Sequence, residues 1–250
     1  MRAELRGLPK DLAEIVASHL VVAGELIDSD PDRAHAHAEA AKRRAARLPI
    51  VREAVAETAY ASGRFDVALQ EFRALRRMTG TQDYLPVMAD CERALGRPQT
   101  ALKLAKESRR YDLDPALQIE MIIVESGARA DLGQQAEALR VLAAAVERFA
   151  AGGERLRAAR GRLFYAYGEA LLRAEREPDA RRAFATAAAL DTDQETDAAE
   201  RVDELDGLVI DFDDGDDLGG DDLNGDDHGD HPADRVRTAD PGPAARRGAE

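Results

Sequence analysis

The sequence predicts an all-α fold: an α-solenoid of about five helix-turn-helix hairpins, closed by a short C-terminal helix and followed by an acidic tail. Three observations carry that prediction. Turn signals recur about every 34 residues between runs whose apolar residues fall three and four apart. The composition is 44% hydrophobic but only 4% aromatic with no Trp, which suits a thin stack of helices better than a thick globule. The charge is also divided: residues 1–190 carry 30 Lys and Arg against 28 Asp and Glu, whereas residues 191–250 carry 5 against 21.

Residues 1–8 read as a lead, and the hairpins occupy 9–190. The clearest unit is "ASGRFDVALQEFRAL", Ala61 to Leu75, where Gly63 separates two helical runs and Phe65, Ala68, Leu69, Phe72 and Leu75 mark a buried face. Its turn "SGRFDVAL" returns as "LGRPQTAL" at Leu95–Leu102 and as "LGQQAEAL" at Leu132–Leu139. Weaker copies flank these, "DSDPDRAH" ending at His35 and "AEREPDAR" ending at Arg181. The small residues Ala34, Ala68, Ala101, Ala138 and Ala180 therefore step by 34, 33, 37 and 42, and "AAGGE" at Ala150–Glu154 lengthens the loop before the fifth hairpin. Small residues are needed there because two antiparallel helices approach closely only where side chains are short.

A helix-turn-helix period near 34 resembles the tetratricopeptide repeat family. The resemblance implies a right-handed solenoid with a bulky residue four positions beyond each small one and Ala three further on. Here those places hold Ala38, Phe72, Ala105, Leu142 and Phe184, then Ala41, Leu75, Ser108, Ala145 and Ala187. Small residues also stand in the first helices at Ala56, Ala89, Ser126 and Gly168, while the family's common first-helix Tyr is replaced by Ala59, Glu92, Arg129 and Leu171. Residues 191–209 read as a capping helix: Thr192 and Glu195 form a T-x-x-E capping box, and Ala198, Val202, Leu205 and Val209 make one apolar stripe. Residues 210–250, dense in Asp, Gly and Pro, read as a disordered acidic tail.

No constellation points to chemistry. The N-terminus "MRAELRGLPKDLAEI" is interrupted by charge, and no apolar run approaches the roughly 18 residues of a spanning helix, so a cytoplasmic protein without membrane contact is expected. The one cysteine, Cys91, reads as a small core residue. His35 and His37, two apart on a helix, diverge and read as solvent-exposed. In the tail, "DFDDGDD" and "DDLNGDD" lack the ligand spacing of a calcium loop. No catalytic residue, metal or cofactor is expected; an enzyme would need an unrecognised site in the loops between hairpins.

Surface remains. The resemblance implies a concave groove lined by the first helices and suited to partner peptides, and the register puts Glu53, Glu57, Tyr60, Asp90, Arg93, Tyr165, Glu169 and Arg173 along it. Acidic residues there argue against the Lys and Asn clamp that some members use for a terminal carboxylate; an extended peptide with some basic residues fits better. The second helices carry a basic pair at each of three turns, Lys42 and Arg43, Arg76 and Arg77, Arg109 and Arg110, with Arg73, Lys103 and Lys106 on the same side. Stacked hairpins align such positions into a ladder. It has three readings: a solvated face compensated by local Glu, a contact for the acidic tail, or a nucleic-acid surface, the last being the weakest for want of aromatic stacking residues. The leading function is a non-enzymatic scaffold for a protein partner, with the tail modulating access or solubility. The alternative is a polyanion or nucleoprotein-associated module whose ladder the tail regulates.

Overall fold

The computed structural model describes residues 4–207; the expected acidic tail 210–250 and Val209 of the expected cap stripe lie outside the described residues. Eleven helices follow one another within that span. They are α1 (Lys10–Leu26), α2 (Pro31–Ala45), α3 (Pro49–Ala61), α4 (Phe65–Thr79), α5 (Leu85–Ala94), α6 (Pro98–Ser108), α7 (Pro115–Asp131), α8 (Gln135–Arg148), α9 (Arg157–Arg173), α10 (Glu177–Leu190) and α11 (Ala198–Leu205), with one 3-10 turn at Glu154–Leu156 before α9. The odd-numbered helices α1 to α9 each pair with the next to make five hairpins, and α11 packs on α10.

Proline and glycine punctuate the chain where their backbone preferences fit. Pro31, Pro49, Pro98 and Pro115 open α2, α3, α6 and α7, where the missing N–H has no intrahelical partner to lose. The turns inside hairpins two, three and four share one closure: Arg64 N–H donates to the Ala59 carbonyl, Arg97 to Glu92 and Gln134 to Arg129. That six-residue closure needs a left-handed residue, supplied by Gly63, Gly96 and Gly133. In hairpin five Arg176 N–H closes the same bond on Leu171, but Glu175 takes the left-handed place at φ 57°. Hairpin one turns differently, with the Asp30 carboxylate accepting the Arg33 N–H at 3.1 Å. The weaker sequence copies at both ends thus have a local cause.

All fifteen register positions, from Ala34, Ala38 and Ala41 to Ala180, Phe184 and Ala187, are buried. Where the helices meet, small sits against large. A Cβ on Gly168 would fall 2.8 Å from the Phe184 ring, so this glycine is what lets α9 close on α10. Phe72 stacks obliquely on Tyr84 at 5.5 Å and fills the joint to the third hairpin. Cys91 lies fully buried with Phe72, Leu75 and Met88, as its sequence setting implies. Burial pushes its thiol up to about 12, so it stays protonated at neutral pH.

Two local expectations are corrected. The capping box does not form: the Asp191 carboxylate instead accepts the backbone N–H groups of Glu195 and Thr196 at 2.9 and 2.8 Å and the Thr196 hydroxyl at 2.6 Å. This aspartate turn competes with helix and delays α11 to Ala198, leaving eight residues. The bond from Thr196 also holds the Asp191 carboxyl below its usual range. The histidines are half-buried, not exposed, because α2 lies between α1 and α3. His37 Nδ1 is 3.1 Å from His19 Nδ1, and His35 Nδ1 is 3.3 Å from the Thr58 hydroxyl. Desolvation, then the neighbouring His37, lower the pKa of His19.

Candidate functional site

Helical spacing alone brings Glu53, Glu57 and Tyr60 onto one stripe of α3, four and three residues apart. The facing stripe of α5 begins at Tyr84 and continues through Val87 and Asp90 to Arg93. These stripes are bonded to each other. Tyr60 donates its hydroxyl to Asp90 Oδ2 at 2.5 Å, and Tyr84 donates to Glu53 Oε1 at 2.7 Å. Arg93 then extends the chain of contacts, donating to Asp90 at 2.9 Å and, across on α7, to Asp131 at 2.9 Å. Gly127 makes that reach possible, since a Cβ there would lie 2.8 Å from Arg93 Nε. A network running from α3 through α5 to α7 results.

Beside the network is a cleft of about 340 Å³, walled by Ile27, Tyr60, Phe72, Tyr84 and Val87 and edged by the carboxylates of Asp28 and Glu57. Desolvation first, and then the carboxylate of Glu53, raise the pKa of Glu57. Tyr60 is raised by burial and then by its bond to Asp90, Tyr84 by burial and then by Glu53, so both act as neutral donors. Neither Asp28 nor Glu57 has an ion-pair partner among the described residues. The cleft therefore offers flat aromatic walls and two unbalanced carboxylates.

The other three expected groove residues lie elsewhere. Tyr165 meets the Phe184 ring edge-on at 5.4 Å and hydrogen-bonds Asp197, with burial and that bond raising its pKa to about 12. Glu169 accepts from Arg173 at 3.1 Å and from Arg201 of α11 at 2.7 Å. Together with Arg181, which grips Asp206 through two bonds of 2.6 Å, these contacts seat the last helix. The eight residues thus form a five-membered set on α3 and α5 and a three-membered set beneath α11. Sequence reasoning missed Tyr84, Asp28 and Asp131; all three stand at or just beyond helix ends, where register carries little signal.

The second helices divide the basic ladder equally sharply. Three glutamates are buried in the stack at 2%, 1% and 4% exposure: Glu71, Glu92 and Glu125. Each is held by two cations. Glu71 meets Lys42 at 3.0 Å and Arg52 at 2.6 Å, Glu92 meets Arg73 at 2.5 Å and Arg97 at 3.4 Å, and Glu125 meets Arg109 at 2.7 Å and Arg129 at 2.9 Å. Arg76 donates to Glu107 at 2.5 Å. In every basic pair the first member, Lys42, Arg76 or Arg109, reaches a carboxylate. The second members, Arg43, Arg77 and Arg110, and also Lys103 and Lys106, are exposed and have no ion-pair partner among the described residues. Adjacent residues on a helix point about 100° apart, which is why the members of the first two pairs take different roles, while Arg109 and Arg110 follow the end of α6.

No family model matches the sequence, and no curated protein does. Among solved structures the chain is similar to TTC0263, a thermophilic TPR protein of Thermus thermophilus, at 19% identity and a TM-score of 0.57 over 77% of this chain and all of that one. It is more distantly similar to MamA (41-end) from Desulfovibrio magneticus RS-1, at 11% identity and a TM-score of 0.48 over 73% of this chain and 98% of that one. The likeness to TTC0263 shows the fold: the hairpins form a tetratricopeptide-repeat-like solenoid. Among the described residues no helix is long and apolar enough to cross a membrane.

Proposed function

We propose that the chain is a non-enzymatic protein-interaction scaffold whose first-helix face, over hairpins one to three, holds an extended peptide carrying basic side chains. The observation that supports this most is the cleft beside Tyr60 and Tyr84, whose carboxylates Asp28 and Glu57 lack cationic partners among the described residues. Burial first, and then Glu53, disfavour the charged form of Glu57, and a lysine or arginine of a bound peptide placed beside it offsets both. Tyrosines contribute large contact area for two side-chain torsions each, an economical way to bind an extended segment. The hydrogen bonds to Asp90 and Glu53 hold both rings in place before a partner arrives, which lowers the ordering cost of binding.

The acidic segment 210–250, with 13 Asp and Glu against 4 Arg, keeps the whole chain strongly negative. It favours solubility and modulates which partners approach. A full-length chain titrated with a synthetic peptide of Lys, Leu and Tyr tests the reading by fluorescence anisotropy. Asp28→Lys with Glu57→Lys is expected to weaken binding by about tenfold. Equal binding of a matched Glu peptide, or no loss in the double variant, overturns it.

A further inference from the structure

A cleft of about 640 Å³ lies on the second-helix side, where α6, α7 and α8 meet. Its origin is local. α6 ends at Ser108 after only eleven residues, and Pro115 forces Asp114 into an extended backbone at ψ 140° before α7 begins. The short helix leaves the far end of α8 uncovered. The floor is aliphatic, made by Leu113, Met121, Ile122, Val141 and Ala144, and the rim carries Arg109, Arg129, Arg140 and Arg148.

The rim is positive after its internal contacts are considered. Arg109 and Arg129 share the single carboxylate of Glu125. Arg140 pairs with exposed Glu137, a surface contact that contributes little. Arg148 donates to the neutral amide of Gln118 at 2.6 Å and lies 4.9 Å from the Phe149 ring centre, so no carboxylate among the described residues balances it.

Across α6 is a second cleft of about 360 Å³ with the same construction: Met88 and Leu104 below, Arg73, Arg76 and Arg77 above. Between the two stand Lys103 and Lys106 of α6 and Arg110 in the turn after it, exposed and without ion-pair partners among the described residues. Aliphatic pockets thus alternate with cations along one strip. A single small anion fills one pocket and leaves the strip unused. A single-stranded nucleic acid stacks on a series of aromatic faces, whereas the residues lining the two clefts offer one ring, Tyr111, 40% exposed beside the larger cleft. An extended acidic peptide with spaced aliphatic side chains matches both pockets and the charges between them.

We propose that the second-helix face of hairpins two to four binds an extended acidic peptide, with aliphatic side chains entering the two clefts and carboxylates meeting Arg77, Arg110, Arg140 and Arg148. This surface is separate from the first-helix cleft and takes a partner of opposite charge.

The test titrates full-length protein with a fluorescent synthetic peptide of Asp and Glu carrying two leucines. Saturable binding is expected, weakened about tenfold by Arg140→Gln with Arg148→Gln and unchanged by Arg182→Gln, an exposed arginine of α10 outside both clefts. Because Leu218 and Leu223 of this chain also sit among aspartates, a second full-length chain with Asn at the nine aspartates between 211 and 227 is titrated in parallel. Absence of saturable binding to both chains overturns the proposal. So does equal binding of a peptide with its leucines changed to serine, which marks mere charge attraction, or indifference to the double arginine variant. Preference for a single-stranded RNA oligonucleotide over the peptide overturns it in favour of nucleic acid.

Discussion

Around the first-helix cleft, Arg93 is one cation among Glu53, Glu57, Asp90 and Asp131; around the second-helix strip, Glu107 and Glu137 are outnumbered by Arg76, Arg77, Lys103, Lys106, Arg110 and Arg140. Both faces belong to residues 1–190, whose charges nearly cancel. Within that near-neutral span the charges are sorted locally at these two patches, while α9 alone carries Arg157, Arg160, Arg162 and Arg173 against Glu169. A hairpin repeat makes that sorting easy, because every outward position of one helix type adds to the same side of the stack. The two sides therefore differ in what their charges do: on the first helices they are bonded into a network beside a cleft, and on the second helices half of them join hairpins while the rest stay free of ion pairs among the described residues.

The largest effect that probes this contrast is at a joint. Glu125→Ala leaves Arg109 and Arg129 without their shared carboxylate and is expected to cost about 2 kcal/mol in urea denaturation. Arg110→Ala, one residue from Arg109 but without an ion-pair partner among the described residues, is expected to change stability by less than about 0.5 kcal/mol. Similar losses for both would erase the distinction between joining and free cations. Next in size, Glu175→Gly relieves the left-handed strain in the fifth turn and is expected to stabilise by about 1 kcal/mol, raising the melting temperature. On the first-helix face, Tyr60→Phe removes the bond to Asp90 and is expected to cost about 1 kcal/mol. The smallest effect concerns Glu57, whose raised folded pKa makes its charged form unfavourable once pH rises through that value. Glu57→Gln should raise the melting temperature at pH 7, and the gain should vanish below about pH 4, where the carboxyl is protonated in both states. A variant that is no more stable at pH 7 would show that neither burial nor Glu53 disfavours the charged form of Glu57.

The backbone architecture was legible because it is periodic. Ala34, Ala68, Ala101, Ala138 and Ala180 and the residues four and seven beyond them are all buried, as a repeated hairpin requires. The side-chain roles were less legible, for reasons that differ by residue. Glu92 and Glu125 look like surface residues until a neighbouring hairpin brings Arg73 or Arg109 over them, and only the stacked structure creates that partner. Arg43 and Lys42 have the same chemistry in sequence and diverge only through their angle on the helix. His37 meets His19 from eighteen residues away across a helix pair. The large cleft comes from a helix that stops early, and a missing turn leaves no apolar pattern to read.

Cys91 has a use that follows from its position. As the chain's one thiol, fully buried between α4 and α5 and pushed up to about 12, it is closed to alkylation in the packed state. Its modification rate then times the opening of the second and third hairpins from each other, without any introduced label. The same residue makes each deliberately added surface cysteine uniquely addressable, so distances between the two faces and their ligands can be followed on the native core.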